Sequence, residues 1–398
     1  MAIAQDSEDT TGAVARGAVR LVFEAVDQAT RIVEGMHANI AALPAPFDGR
    51  PRERASGIAG FVYGGIRWVA GATGAMVDAP LGLLGTSGQA GPQGDGLRSA
   101  LNGVIGDHLH ATQNPLAIPM RLRAGGVVLR LERGALAAAL PAASGRIVLL
   151  AHGLCMSDRQ WARNRHDHGA ALARETGCTP VYLHYNSGRH VSDNGRLLAA
   201  LLEELIAAWP RPVEELSILA HSMGGLVARS AHHYAVADRL AWPRHLRRLV
   251  FLGTPHHGAP LERAGHRFHS TVGISPYLAS LARLGRLRSA GITDLRHGNL
   301  VDEDWHGADR FEHHDDRRRL LPLPADVECY AVAATLAGRL GRLGDGLVPV
   351  ASALGEHDDP ARALHFPESR RWVGAGLGHL DLLEGPDVYA VIRRWLAA

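Results

Sequence analysis

Lysine is absent from this sequence, so all 42 residues counted as Lys plus Arg are arginine. They face 40 acidic residues, which leaves a formal net charge of +2. With so small an excess of positive charge, there is no large long-range field to draw in nucleic acid. Together with the Ala and Gly load, the missing lysine points to a coding bias more than to a function. Arginine still suits contacts with phosphate or carboxylate groups. Cysteine is scarce as well. Cys155, Cys178 and Cys329 are too few and too scattered for a disulfide framework or a metal knuckle, and a reducing compartment is the expected setting. Aromatic residues make up 5% of the chain, and its tryptophans do not cluster into a stacking platform for bases. Long apolar runs are missing too, since no segment offers the roughly eighteen uncharged apolar residues of a membrane span. The stretch nearest to one, Trp68 to Val77, is Gly-rich and flanked by Arg67 and Asp78. It reads as a buried or interfacial helix, a candidate for peripheral membrane contact. The opening MAIAQDSEDTTG lacks the basic and apolar regions of a secretory signal, so a cytoplasmic location is expected.

What is present is a chain of 398 residues, 46% hydrophobic and 21% charged, in the range of globular proteins with a large core. Residues 13–40 repeat apolar side chains at helical steps, among them Val14, Ala18, Leu21, Val22, Ala25, Ile32 and Met36. Pro44, Pro46 and Pro51 then break the helix. A second helical stretch covers 54–84, a Gly-rich loop 85–97, and a short helix 97–110. Residues 1–117 thus read as a helical N-terminal extension.

From residue 118 the pattern changes. A hairpin is expected at Met120–Arg123 and Val127–Leu131 around Gly125-Gly126. Strands are expected at Ile147–Ala151, Val181–Tyr185, Leu216–Ala220, Leu249–Leu252 and Val327–Ala333, with the last at Ala363–Phe366 or Arg371–Val373. Helices alternate with them at Arg159–Thr176, Gly195–Trp209, Gly224–Ala237 and Val388–Leu396. In Gly195–Trp209, Leu197, Leu198, Leu201, Leu202 and Leu205 share one side. Such alternation predicts an α/β fold, a mostly parallel sheet with helices on both faces. Ligands bind such sheets at the carboxyl ends of their strands. The alternation lapses between about 259 and 325. A run that long between core strands is usually a functional insertion, and it reads as a cap or lid.

Four motifs sit at or just after strand ends. In Leu216-Ser217-Ile218-Leu219-Ala220-His221-Ser222-Met223-Gly224-Gly225, a β-run ends in a nucleophile candidate and a helix begins. A serine on so sharp a turn exposes its hydroxyl and needs small neighbours two residues either side, here Ala220 and Gly224. The plain alternative is a helix N-cap serine. After the strand at 147–151 comes His152-Gly153-Leu154, where glycine lets the backbone turn N–H groups inward. Acyl transfer needs two donors aimed at the developing oxyanion. The backbone N–H groups of Leu154 and Met223 are the candidates, with His152 a structural histidine. Asp345, flanked by Gly344 and Gly346, can hold an imidazole in one tautomer. Asp326 and Asp381 are its rivals, the first preceding its strand and the second crowding the base in sequence. His379, in Gly376-Leu377-Gly378-His379, is the general-base candidate. The chain order Ser222, Asp345, His379 is that of α/β-hydrolases.

These residues resemble the α/β-hydrolase superfamily, and within it bacterial lipases and esterases. Ala220-His221-Ser222-Met223-Gly224-Gly225, with alanine where most members have glycine, looks like the elbow of one lipase subset. The His152-Gly153-Leu154 loop looks like the oxyanion loop of lipases. Gly253-Thr254-Pro255-His256-His257-Gly258 resembles a turn found in lipases and in GPI-inositol-deacylase-like hydrolases. Tyr185-Asn186-Ser187-Gly188-Arg189-His190 resembles the loop after the preceding strand in that group. The resemblance covers about 118–398. It implies an α/β-hydrolase catalytic domain over 118–398 and carboxyl-ester hydrolysis through an acyl-enzyme. Ser222 would be the nucleophile, His379 base then acid, and Asp345 its orienter. The expected partner is a small-molecule or lipid ester, with no cofactor and no nucleic acid.

Two other classes stay open at this point. Acyl transfer or thioester hydrolysis would use the same triad, because water and other nucleophiles compete for one acyl-enzyme. A non-catalytic binding protein on the same fold would show a degenerate triad, and none of the three positions is degenerate. The 23 histidines include His232, His233, His256, His257, His313 and His314, yet no HExxH or CxxC spacing occurs. Solvated loop histidines are the expectation, with zinc or calcium in the insertion left open by the resemblance to lipases.

Overall fold

A computed structural model of the chain describes residues 92–259, 289–307, 318–336 and 344–397. The helices expected at 13–40 and 54–84, the apolar stretch at 68–77 and most of the expected cap lie outside the described residues. The chain divides into two compact units, Met1–Arg98 with Ala111–Ala117, and Ser99–His110 with Ile118–Ala398. In the first, the Arg98 guanidinium donates to the carbonyls of Pro115, Leu116 and Ala117 at 3.1, 3.0 and 2.9 Å. The helix expected at 97–110 is α1, Pro92–Ala111, with a kink at Ile105.

The second unit is built on an eight-stranded sheet. Its strands are β1 (Arg121–Ala124), β2 (Val127–Val128), β3 (Arg146–Ala151), β4 (Thr179–His184), β5 (Glu215–His221), β6 (Leu246–Leu252), β7 (Glu328–Thr335) and β8 (Arg371–Ala375). Their spatial order is β2-β1-β4-β3-β5-β6-β7-β8. β1 runs antiparallel to β2 and β4, and every other pair is parallel. The central strands are apolar on both faces. Leu149 and Ile218 belong to the core cluster on one side of the sheet, and Leu150 and Leu219 to that on the other. Such double burial is what a parallel sheet covered on both sides requires.

Among the described residues of this unit the further helices are α2 (Arg133–Ala139), α3 (His168–Thr176), α4 (Val191–Ala208), α5 (Met223–Ala237), α6 (Ala290–His297), α7 (Val350–Ala353) and α8 (Pro386–Ala397). α4 buries Leu198, Ala199, Leu202 and Leu205. Leu197 is exposed, because one residue of helix turns the side chain about 100° off that stripe.

One expectation needs correction, one pair of alternatives is decided, and one helix was unforeseen. Arg159–Thr176 is not one helix. A 3-10 turn at Asp158–Trp161 is followed by a reversal, in which Arg163 and His166 exchange 2.8 Å backbone hydrogen bonds. Asn164 and Arg165 take positive φ there, and Asp167 then caps α3 by accepting from Ala170 N–H at 2.9 Å. Helical spacing of apolar residues did not reveal a turn set by Asn and Asp. The last strand is Arg371–Ala375. Ala363–Phe366 pairs with no strand, and Pro367 follows it. Helix α2 was not anticipated, since its Ala-rich run buries only Leu136.

Candidate active site

The chain leaves β3 for β4 on one side and returns to β5 on the other. The carboxyl ends of β3 and β5 therefore border the switch point where such sheets bind ligands. Ala151 pairs with Ala220, so the loops after β3 and β5 emerge at one level. A Cβ added to Gly153 would lie 3.0 Å from the Cβ of Ser222, so only glycine lets the first loop pass the second without strain.

Ser222 links β5 to α5 with φ 55° and ψ −125°. For a residue with a Cβ such geometry costs on the order of 1–3 kcal/mol and persists only where its surroundings enforce it. The Ser222 N–H donates to the Leu252 carbonyl of β6 at 2.8 Å, and its carbonyl accepts from Gly225 N–H at 3.0 Å. α5 starts so close to β3 that a Cβ on Gly224 would meet the Ala151 carbonyl oxygen at 2.5 Å. Ala220 is fully buried beneath the turn.

The loop after β3 is held from β4. The Tyr185 hydroxyl donates to the His152 carbonyl at 2.9 Å, and the Cys155 N–H donates to Ser187 Oγ at 3.0 Å. Cys155 takes φ 59°, which turns the chain just after Leu154. The backbone N–H groups of Leu154 and Met223 have no acceptor among the described residues. His152 is buried under this loop and stacks on Tyr185 with ring centres 4.4 Å apart. Its Nδ1–H donates to the Gly153 carbonyl at 2.9 Å, and burial pushes the imidazole down to about 4.

His379 opens a 3-10 turn, His379–Leu383, after β8. Its Nδ1–H donates to Asp345 Oδ2 at 2.7 Å, and its backbone N–H donates to the Asp345 carbonyl at 3.0 Å. Asp345 lies in the turn after β7, with Gly344 and Gly346 at positive φ on either side. Its Oδ1 accepts from the N–H groups of Leu347 and Val348 at 3.0 and 2.8 Å, so both carboxylate oxygens are engaged. The His379 ring lies 4.6 Å from that of His221, the residue before Ser222. Ser222, Asp345 and His379 are all buried.

The structure thus brings His379 to Asp345 and not to either rival acid. Asp381 Oδ2 accepts from Gly378 N–H at 2.7 Å and closes the turn that carries His379. Asp326 lines a groove at the opposite end of the strands with Arg146, Glu215 and Arg248. Gly253, just after β6, gained no individual role in the sequence reading. Its φ is +57°, and a Cβ there would lie 3.1 Å from both Asp345 Oδ2 and His379 Cε1. Ser187 was likewise missed as the acceptor that fixes Cys155. Both depend on contacts between loops distant in sequence. Within Gly253–Gly258, His256 Nδ1 accepts from the buried Arg229 of α5 at 3.2 Å. Three free cysteines are present, and among the described residues no group of three or more His, Cys, Asp or Glu could hold a metal ion. No described helix is long and apolar enough to cross a membrane.

The PGAP1-like alpha/beta domain family matches residues 142–320. Comparison with curated proteins finds no match. Among solved structures, the chain is similar to the mature form of a lipase from Bacillus licheniformis, with 20% identity over 64% of this chain and 92% of that one, TM-score 0.42. It is similar to an esterase from Pyrococcus furiosus, with 13% identity over 64% and 81%, TM-score 0.39. It is also similar to lipase B from Aspergillus fumigatus, with 15% identity over 68% and 59%, TM-score 0.37. An elbow at the end of β5, a mostly parallel sheet with a switch point beside it and the match over 142–320 agree on an α/β-hydrolase fold, within which residues 142–320 are similar to the PGAP1-like alpha/beta domain.

Proposed function

We propose that this protein is a serine carboxyl-ester hydrolase of lipase or esterase type, working through an acyl-enzyme. The observation that carries the proposal is the buried 2.7 Å hydrogen bond from His379 Nδ1 to Asp345, with its imidazole beside the strained Ser222 turn. Asp345 fixes the imidazole with its proton on Nδ1, which leaves Nε2 as the basic nitrogen. His379 Nε2 takes the Ser222 hydroxyl proton as Oγ bonds to the ester carbonyl carbon. The carbonyl electron pair moves onto oxygen and is met by the N–H groups of Leu154 and Met223. Each such donor lowers the barrier by about 3–4 kcal/mol. His379 then protonates the departing alcohol as the acyl C–O bond breaks. Water, deprotonated by the same imidazole, releases the acid and restores Ser222. The imidazolium formed in each half-reaction is stabilised by the Asp345 carboxylate.

The test is a series of p-nitrophenyl esters from C2 to C16 on wild type and Ser222→Ala together, with fluorophosphonate labelling of both. Serine-dependent turnover supports the reading, and its chain-length optimum sizes the acyl pocket. A folded wild type that neither turns over any ester nor takes the label overturns it. Acyl transfer uses the same acyl-enzyme, and acceleration of acyl release by added alcohol would move the assignment there.

A further inference from the structure

The turn that carries His379 is gripped at both ends by buried histidines that the reaction scheme leaves unused. His221, the last residue of β5, is fully buried, and its Nε2–H donates to the backbone carbonyl of His379 at 3.0 Å. Its Nδ1 is buried without a partner, so the proton sits on Nε2. At the far end, His168 Nε2–H donates to the Leu382 carbonyl at 3.0 Å. With its Nε2 so used, His168 Nδ1 accepts, and His166 Nε2–H donates to it at 2.7 Å. Burial holds both imidazoles neutral. That of His168 is pushed down to about 4, and that of His221 lies well below the usual histidine range, lowered further by the nearby His379.

Such tethers have a mechanical purpose here. A 3-10 turn has poor hydrogen-bond geometry and is used in short pieces. This one follows Gly376-Leu377-Gly378, a stretch with little rotational restraint. A general base must nonetheless stay within hydrogen-bond reach of its nucleophile. The Asp345 contacts fix the His379 N–H and Nδ1. The His221 contact fixes its carbonyl, and it does so from the residue adjoining Ser222.

We infer that His221 is a positioning residue, one that ties the base's turn to the nucleophile's strand so that Ser222 and His379 keep their spacing. His168 is its companion at the other end of the turn. The inference rests on the Ser222–His379–Asp345 reading above. It differs from plain core packing in what it demands: the Nε2 donor itself, not the volume of the ring.

The test compares His221→Gln with His221→Asn. The glutamine amide nitrogen reaches the place of the histidine Nε2, whereas that of asparagine stops near the place of Nδ1. Fluorophosphonate labelling counts competent sites by its end-point and reports the Ser222–His379 geometry by its rate. For His221→Asn, the labelling rate and the kcat per labelled site are expected to fall about 10- to 100-fold, with KM within about two-fold. His221→Gln is expected to bring both back to within about three-fold of wild type. His168→Asn should follow the first pattern more weakly, and it carries the test if His221→Asn does not fold. Wild-type kcat per labelled site in the Asn variants would reduce these histidines to packing, as would a Gln variant as slow as Asn. Ser222→Ala, run alongside, separates the two levels. If it keeps activity, the hydrolase reading falls and this inference with it. If it is inactive while His221→Asn is fully active, only the inference falls.

Discussion

The two ends of the same strands are built on opposite electrostatic plans. At their amino ends, Glu215 pairs with Arg146 and Arg248 at 3.4 and 3.1 Å, and Glu328 pairs with Arg248 and Arg370 at 3.3 and 2.7 Å. This ladder of partly exposed ion pairs borders a groove of about 470 Å³ that also holds Asp326. At their carboxyl ends the polar groups are buried, and the imidazoles of His152, His168 and His221 are held neutral. Asp345 with His379 forms a buried acid–imidazole pair there. Such partly exposed pairs are screened in part by water and contribute modestly each, so the amino end is the more tolerant of change. Buried polar groups depend on every partner being in place, so the carboxyl end does not. The difference supports placing the proposed chemistry at one end although both are rich in charged and polar residues.

Substitutions at the carboxyl end should remove activity and spare the fold. Ser222→Ala is expected to lower ester kcat by about 10⁴- to 10⁶-fold, with an unfolding midpoint near that of wild type. Steady-state hydrolysis beside thermal unfolding checks this, and wild-type turnover in the variant would break the comparison at its centre. Asp345→Asn should cost about 10⁴-fold in kcat, because the amide cannot hold the same imidazole tautomer. Asp381→Asn, which touches the turn alone, should be mild, and a reversed ranking would move the acid to Asp381. Gly253→Ala sharpens the spatial limits of the site. Its φ of +57° and the close approach to His379 predict a loss of about 1–3 kcal/mol in stability together with reduced kcat.

The acid limb of stability is the next distinction. His152 and His168 titrate near the usual 6.5 when unfolded but at about 4 when folded. Between those values the unfolded chain binds more protons, so stability is complete above pH 6.5 and is lost as pH falls toward 4. Each imidazole should account for roughly 3 kcal/mol of that loss. Denaturant midpoints from pH 7 to pH 4 measure it, and a flat profile would mean that these rings are not buried neutral. The smallest effect belongs to the amino end. Glu215→Gln should cost under about 1 kcal/mol, fade at high salt and leave kcat unchanged.

The local part of this design was legible in the sequence. The elbow, the His-Gly loop, the Asp between glycines and the late histidine each announce themselves within a few residues of a strand end, because small residues and strand boundaries are local properties. Strand positions came through for the same reason, as β-branched and leucine runs flanked by turn residues. Two features stayed hidden for opposite reasons. The break after Trp161 was missed because apolar residues on either side were joined across a polar stretch, 163–168, in which Asn164 and Asp167 set the turn. The bonds of His221 and His168 to the turn that carries His379 could not be read, because each joins segments more than 150 residues apart.

By itself, then, the sequence determined the order of the elements, the double-sided burial of the central strands and the residue types able to act as nucleophile, acid and base. Periodicity and turn chemistry are written along the chain, and so are the small residues that flank the serine. Only the tertiary structure decided that Asp345 and not Asp381 or Asp326 meets His379, and that Gly253 must lack a side chain. It alone turned three of the 23 histidines into neutral buried supports. Those choices depend on parallel register and on loop approach across the carboxyl ends of the sheet, which exist only once the strands have paired.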